Sequence, residues 1–99
     1  MASLPDLSSR ELQAICTLAE CGSFVAAALT MNVSQPALTR TVQRVEQALG
    51  VALFRRSTRR VEITAAGQEF VTLAQRVLAD LRISVENMRE ISDELRGRC

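Results

Sequence analysis

The chain contains neither histidine nor lysine, and these two absences exclude much of the chemistry that a small protein can perform. Histidine is the commonest general base, and lysine is a frequent base and nucleophile. The three cysteines, Cys16, Cys21 and Cys99, form no CxxC pair, so a structural zinc site lacks its usual ligands. We therefore expect no enzymatic activity, no cofactor and no metal site.

Long apolar runs and a secretory leader are also missing. No apolar stretch approaches the roughly 20 residues that cross a bilayer. The N-terminus, MASLPDLSSR, has neither a positive flank nor an apolar segment. We therefore expect a cytoplasmic protein with no membrane partner. Its 99 residues allow one domain with a modest core, or a small domain with an appendage.

Positive charge is scarce overall but concentrated in one segment. All twelve cationic residues are arginines, and the formal net charge is only +1. Within 34–61, however, six arginines accompany one acid, Glu46, whereas 68–99 hold five arginines and six acids. Because a phosphate backbone responds to local charge, this distribution favours a nucleic-acid partner despite the nearly neutral total.

Three short helices are predicted in the first half of the chain, and each begins after a serine. Ser8 and Glu11 have the spacing of a capping box, and apolar residues follow at helical intervals. Ser23 caps a second helix and Ser34 caps a third, with only a tight connection between these two helices.

The third of these helices, over 34–49, has two chemically different faces. Its apolar stripe comprises Leu38, Val42, Val45 and Leu49. Its other face offers Gln35, Thr39, Arg40, Gln43 and Arg44, with no acid before Glu46. An ordinary surface helix mixes both signs of charge, so a face without carboxylates indicates a polyanionic partner.

After Gly50 the pattern predicts short strands and then one long helix. The segments 51–54 and 60–63 are typical of a two-stranded hairpin with an arginine-rich tip. Thr64 then begins a helix that runs to about Leu95 and is roughly 45 Å long. A small core cannot cover such a helix, so its heptad seam predicts a homodimer. The seam comprises Val71, Ala74, Leu78, Leu81, Val85, Met88 and Leu95.

This order of elements predicts a mainly α fold, a winged helix-turn-helix of three helices and a two-stranded wing, followed by a long dimerisation helix. A helix about 10–12 Å across fits the major groove, where glutamine, arginine and threonine can contact base edges. Arginines at a hairpin tip can reach the neighbouring minor groove. We divide the chain into a DNA-binding domain over 1–64 (helix-turn-helix about 24–43, recognition helix 34–49, wing 52–63), a dimerisation helix over 65–95 and a short segment over 96–99.

Several short motifs occur in a fixed order between residues 8 and 67. They are SF at 23–24, AA at 27–28, VSQPALTR at 33–40, VE at 45–46, LG at 49–50, LFRR at 53–56 and RVEITAAG at 60–67. In this order and spacing they resemble the DNA-binding domain of a LysR-type transcriptional regulator. The long helix after Gly67 is similar to the linker helix of that family. The resemblance thus implies a linker helix over 65–95 and the start of a hinge over 96–99.

The resemblance implies specific contacts with an inverted-repeat operator in double-stranded DNA. Base contacts in the major groove are expected from Gln35, Pro36, Thr39 and Arg40, and a contact in the minor groove from Arg59. Phosphate contacts are expected from Ser23, Ser34, Arg44, Arg56, Thr58 and Arg60. For Arg56 the alternative is an ion pair with Glu46.

The resemblance also implies a larger assembly. Linker helices of this family pair antiparallel in a dimer, and full-length members form tetramers. A small-molecule effector would bind only through a C-terminal domain that is absent from these 99 residues. In the cell such a protein associates with the nucleoid.

A second interpretation is a helical protein-interaction and dimerisation module without specific DNA binding, because a fold does not dictate a function. The arginine-rich hairpin beside an acid-free helix favours DNA, since a protein partner would not require that combination.

Overall fold

A computed structural model of the protein describes residues 4–56 and 60–97. Its helices are α1 (Ser9–Cys21), α2 (Phe24–Met31), α3 (Gln35–Leu49) and α4 (Ala65–Gly97), and its strands are β1 (Phe54–Arg56) and β2 (Val61–Ile63). The two strands lie between α3 and α4 in the chain. This order confirms the predicted winged helix-turn-helix with a long final helix.

The serines predicted as caps occupy that position in the structure. The Ser8 hydroxyl accepts from the Glu11 N–H at 3.2 Å, and the Glu11 carboxylate accepts from the Ser8 N–H at 2.8 Å. Ser23 and Ser34 cap α2 and α3 in the same way, each accepting from the N–H three residues further on. Because the first turn of a helix leaves amides without partners, each cap contributes about 1 kcal/mol.

Asn32 allows the sharp turn between α2 and α3. It adopts the left-handed conformation with a φ of 58°, and its N–H bonds the carbonyls of the last turn of α2. Asparagine enters this region more readily than most residues because its side chain is short and polar. Only Val33 and Ser34 then separate Asn32 from α3.

The core lies where α1, α2, α3 and the beginning of α4 meet the base of the hairpin. The apolar stripe of α3 is buried there as predicted, except that Leu49 is only half-buried. Cys16 also lies in this core, and burial, followed by the negative charge of Glu20, raises the pKa of its thiol. The buried residues are Ala14, Ile15, Cys16, Leu18, Ala27, Ala28, Leu38, Val42, Val45, Leu53, Phe54, Phe70, Val71 and Ala74.

The hairpin begins later than the sequence pattern predicts. Its antiparallel register pairs Phe54 with Ile63, and β1 therefore starts at the end of the predicted segment 51–54. The backbone of Ala52 and Leu53, just before β1, forms hydrogen bonds with side chains. The Leu53 N–H donates to the Glu46 carboxylate at 2.8 Å, and the Ala52 carbonyl accepts from the Thr64 hydroxyl at 2.7 Å.

The structure divides the predicted heptad seam of α4 into two parts. Val71 and Ala74 are 8% and 1% exposed and pack in the core of their own chain. They therefore cannot supply the partner surface that the heptad pattern predicted. The reason is that α1 packs against the beginning of α4. Further along, Leu81, Met88 and Leu95 are exposed, while Leu78 and Val85 are half-buried.

Gly67 is the glycine whose missing side chain allows the closest approach. A Cβ at this position would lie 2.2 Å from the Leu53 carbonyl oxygen and 2.7 Å from Cγ1 of Ile63. Since the Leu53 backbone is held by hydrogen bonds on both sides, we expect Gly67→Ala to lower the free energy of unfolding by about 1–3 kcal/mol in urea titrations. Gly97→Ala is the control, because a Cβ there meets open space. Equal losses in both variants would contradict this explanation.

Candidate nucleic-acid interface

The candidate interface is the solvent face of α3. Gln35, Pro36 and Arg40 are exposed and Thr39 is half-buried, while the opposite side of the helix is in the core. The structure therefore brings all four residues predicted for the major groove to one outward surface. Within residues 4–56 and 60–97, no hydrogen bond or ion pair occupies the side chain of Gln35 or Arg40.

Two further residues share this face. Gln43 and Gln47 are exposed and lie one and two turns beyond Thr39 and Arg40. Gln43 lies on the face predicted to be acid-free but had no contact assigned to it, and Gln47 was not among the predicted residues. Helical spacing alone was a sufficient signal for both. Together the face offers amides, a hydroxyl and a guanidinium, the groups that can pair with base edges.

The helix N-termini near this face are suited to anions. Ser23 and Ser34 each use the hydroxyl as a cap, which satisfies one of the four amides that a first turn leaves unpaired. The remaining amides and the positive end of the helix dipole favour a phosphate oxygen. Ser34 is exposed and Ser23 is half-buried.

Arg44 has partners within the chain that the sequence analysis did not predict. Its Nη2 donates to the Asp6 carbonyl oxygen at 2.7 Å, and its Nη1 lies 3.1 Å from the Glu11 carboxylate. A second contact with the Asp6 carboxylate is 3.7 Å long. These contacts link α3 to α1 and the N-terminal segment. The Arg44 side chain is still 47% exposed, so the phosphate contact expected of it stays a prediction.

Arg56 does not form the ion pair with Glu46 that was one of its two expected roles. The Glu46 carboxylate instead accepts from the backbone amides of Leu53 and Phe54, at 2.8 and 3.2 Å. The Arg56 guanidinium lies over the Phe24 ring, 5.0 Å from its centroid. This cation–π contact leaves the Arg56 side chain exposed beside the N-terminus of α2.

The wing contributes further cations. Arg55 lies in β1 and Arg60 directly precedes β2, and both are exposed. Thr58 and Arg59, which were expected to contact DNA from the wing tip, lie outside the described residues.

Metal-ligand groups and membrane-spanning helices are both missing from the described part of the chain. Within residues 4–56 and 60–97, no group of three histidine, cysteine, aspartate or glutamate side chains could hold a metal ion. In the same part of the chain, no helix is both long enough and apolar enough to span a membrane.

A second exposed surface runs along α4. We call it the outer stripe, and it consists of Leu73, Val77, Leu81, Met88, Ile91 and Leu95, which are between 43% and 82% exposed. Leu73 and Val77 lie beside the core residues of α4, but on the side that faces solvent. Because several exposed apolar side chains along one side of a helix form a contiguous patch, and such patches mark interaction surfaces, the stripe is a candidate interface.

Comparison with known proteins identifies relatives of this sequence. Residues 9–68 match the family described as bacterial regulatory helix-turn-helix protein, lysR family. Over 83 residues the chain is 45% identical to the HTH-type transcriptional regulator ClcR of Pseudomonas putida, which covers 84% of this chain and 28% of ClcR. Over 70 residues it is 46% identical to TfdT of Cupriavidus pinatubonensis, covering 71% of this chain and 31% of TfdT. The chain spans less than a third of either relative.

Solved structures similar to this fold include complexes with DNA. The CbnR_DBD–DNA complex has a TM-score of 0.84 and 40% sequence identity, and the match covers 87% of this chain and 99% of that chain. The BenM_DBD/catB site 1 DNA complex has a TM-score of 0.83 at 30% identity, covering 87% and 96%. Full-length CbnR complexed with its target DNA has a TM-score of 0.80 at 41% identity, covering 84% and 29%.

The contacts of Arg44 predict a loss of stability on its removal. Arg44→Ala should lower the free energy of unfolding by about 1 kcal/mol, since the Glu11 pair is only partly exposed. The loss should shrink at high salt, because screening weakens the ion pair. Arg40→Ala removes the same charge from the same helix without removing a described contact, so urea titration should show a change below about 0.5 kcal/mol. Equal losses would contradict the assignment.

Proposed function

The chain belongs to the lysR family of bacterial regulatory helix-turn-helix proteins, and from this membership we propose that it is the DNA-binding and dimerisation part of a sequence-specific transcriptional regulator. The observation that carries the proposal is the outward face of α3, on which Gln35 and Arg40 are exposed and without described partners. The similarity to DNA complexes supports it. It also weighs against the alternative of a protein-interaction module.

We propose that α3 enters the major groove and reads base edges there. Arg40 can donate two hydrogen bonds to a guanine, and Gln35 can pair with an adenine. Thr39 and Pro36 offer methyl and methylene groups for a thymine methyl. Because the buried stripe of α3 holds the helix in place, the backbone that carries these side chains needs little reorganisation on binding.

Phosphate contacts around the groove would position this helix. We propose Ser23 and Ser34 at the two helix N-termini, and Arg56, Thr58 and Arg60 from the wing. Arg59 is proposed to enter the neighbouring minor groove. Arg44 is proposed as a further phosphate contact, since its side chain is 47% exposed while it contacts Asp6 and Glu11.

Dimerisation is proposed through the outer stripe of α4. Its spacing is nearly symmetrical about Ser84, so two antiparallel copies would place Leu73 opposite Leu95 and Val77 opposite Ile91. Leu81, Val85 and Met88 would lie near the twofold axis. Twofold symmetry of the protein then requires an inverted repeat in the DNA.

The properties of a whole regulator extend beyond this chain. Following the family resemblance, we propose that the longer protein forms tetramers and responds to a small-molecule effector bound by a separate C-terminal domain. Binding to chromosomal DNA would place it in the nucleoid of the cytoplasm. The relatives are named as regulators, and we propose no enzymatic activity.

If Arg40 contacts a base, Arg40→Ala should lower DNA affinity in a sequence-dependent way. Affinity for a duplex selected from a random pool should fall by about 1–3 kcal/mol, whereas affinity for a scrambled duplex should change much less. Fluorescence anisotropy over a salt series measures both. Arg76→Ala removes an exposed arginine from α4 and is the matched control. Wild-type binding that ignores salt would favour the protein-interaction alternative, because phosphate contacts release counterions.

If the outer stripe is the dimer interface, a glutamate placed on it should weaken the homodimer, whereas a glutamate on another side of α4 should not. Leu81→Glu should weaken the homodimer by about 100-fold or more, since each copy loses a buried leucine at the interface. Ile83→Glu is the control, because Ile83 is 54% exposed and Leu81 50% exposed, but Ile83 lies on another side of the helix. Sedimentation equilibrium measures both. An equal effect of the two substitutions would argue against the stripe as the interface.

A further inference from the structure

We infer that Glu46 is a positioning residue that sets the direction of the wing relative to the recognition helix α3. This inference rests on the proposed function, because it assigns Glu46 a role in how the wing meets DNA. The charge of Glu46 conflicts with the cationic pattern around it. Glu46 is the one acid in the otherwise cationic segment 34–61, where a carboxylate would repel phosphate.

The contacts of Glu46 explain its presence. One carboxylate oxygen, Oε2, accepts from the Leu53 N–H at 2.8 Å and from the Phe54 N–H at 3.2 Å. Its backbone carbonyl accepts from the Gly50 N–H at 2.8 Å, which ends α3. A single residue of α3 therefore holds both the beginning and the end of the connection to β1. Phe54 is the first residue of β1.

The same backbone is held from the opposite side by the start of α4. The Leu53 carbonyl accepts from the Thr64 N–H at 2.9 Å, and the Thr64 hydroxyl donates to the Ala52 carbonyl at 2.7 Å. The hydroxyl also accepts from the Gly67 N–H at 3.0 Å. Leu53 is thus hydrogen-bonded through its N–H to Glu46 of α3 and through its C=O to Thr64, the residue before α4.

These bonds lie at the base of the wing. Phe54 pairs with Ile63, the residue before Thr64, so both strands of the wing leave the body from this cluster. A three-residue strand pair has few bonds of its own, and its direction depends on how its base is held. Glu46 supplies the connection to α3, the element proposed to lie in the major groove. Without it, the wing would lose its side-chain hydrogen bonds to that helix, and its angle to the helix would be less closely restrained.

Positioning and charge predict opposite effects when Glu46 is replaced. If the carboxylate acted only through its charge, removing it would strengthen binding to every DNA. If it positions the wing, removing the acceptor should abolish the part of the affinity that the wing contributes. That part depends on the flanking sequence, because a narrow A·T-rich minor groove attracts cations more strongly than a G·C-rich one.

The experiment compares two duplexes with the same selected half-sites and different flanks, one an A·T tract and one G·C-rich. The wild-type chain should prefer the A·T flank by a factor on the order of ten. For Glu46→Ala the ratio of the affinities for the A·T-flanked and G·C-flanked duplexes should fall to about two or less. The ratio is measured on each protein preparation with both duplexes, so it does not depend on the fraction of chain that is folded.

Three further variants separate the hydrogen bonds from the charge. Glu46→Gln retains an oxygen acceptor without the charge and should keep the wild-type ratio. Glu46→Asp retains the charge but shortens the side chain by one methylene, and it should lose the ratio. Glu62→Ala removes an exposed acid from β2 and should keep it.

Several outcomes would overturn the inference. They are a wild-type ratio near one, an unchanged ratio in Glu46→Ala and Glu46→Asp, or an equal loss in Glu62→Ala. If in any of these cases the wild-type chain still prefers its selected half-site to a scrambled one, sequence-specific binding stands and only the role of Glu46 fails. Failure of that preference would instead contradict the proposed function.

Discussion

The burial of one side of α3 is the constraint on which the rest of the structure depends. Leu38, Val42 and Val45 are between 0% and 1% exposed, and rotating the helix would bring these side chains into water. Each such exposure would cost about 1.5–3 kcal/mol. The helix therefore has one stable orientation, and the residues opposite the stripe must face solvent. A DNA-reading surface benefits from this property, because the same face of the helix is presented to every duplex.

The acids near this surface are largely committed to contacts within the chain. Glu46 accepts from backbone amides at the base of the wing, and Glu11 caps α1 while it pairs with Arg44. Their negative charge therefore contributes to the fold next to a surface that carries exposed arginines. This arrangement explains how a chain with a formal net charge of +1 can present a cationic surface to a polyanion.

The long helix α4 contributes both to the core of its own chain and to the proposed dimer interface. Its beginning packs against α1 and supplies Phe70, Val71 and Ala74 to the core. The remainder extends away from the body, and the longest dimension of the molecule is 61 Å. Because one continuous helix joins the two parts, the geometry of a dimer formed on the outer stripe would set the separation of the two α3 helices. That separation determines which half-site spacing the pair can bind.

Local chemistry accounts for what the sequence determined by itself. Caps, turn residues and apolar spacing act over three or four positions, so Ser8, Ser23 and Ser34 were sufficient to predict the starts of three helices. Leu38, Val42 and Val45 likewise predicted which face of α3 would be exposed. The order of these elements, together with the motifs between 23 and 67, predicted the family.

Only the tertiary structure decided which distant groups meet. Arg44 and Asp6 are 38 positions apart, and no periodic pattern relates an arginine to a carbonyl at that distance. The place of Arg56 over Phe24, the division of the α4 seam and the bonds of Glu46 to the wing arise in the same way. Each depends on how separate elements pack against one another. Packing is a property of the assembled core, whereas helical spacing describes one element at a time.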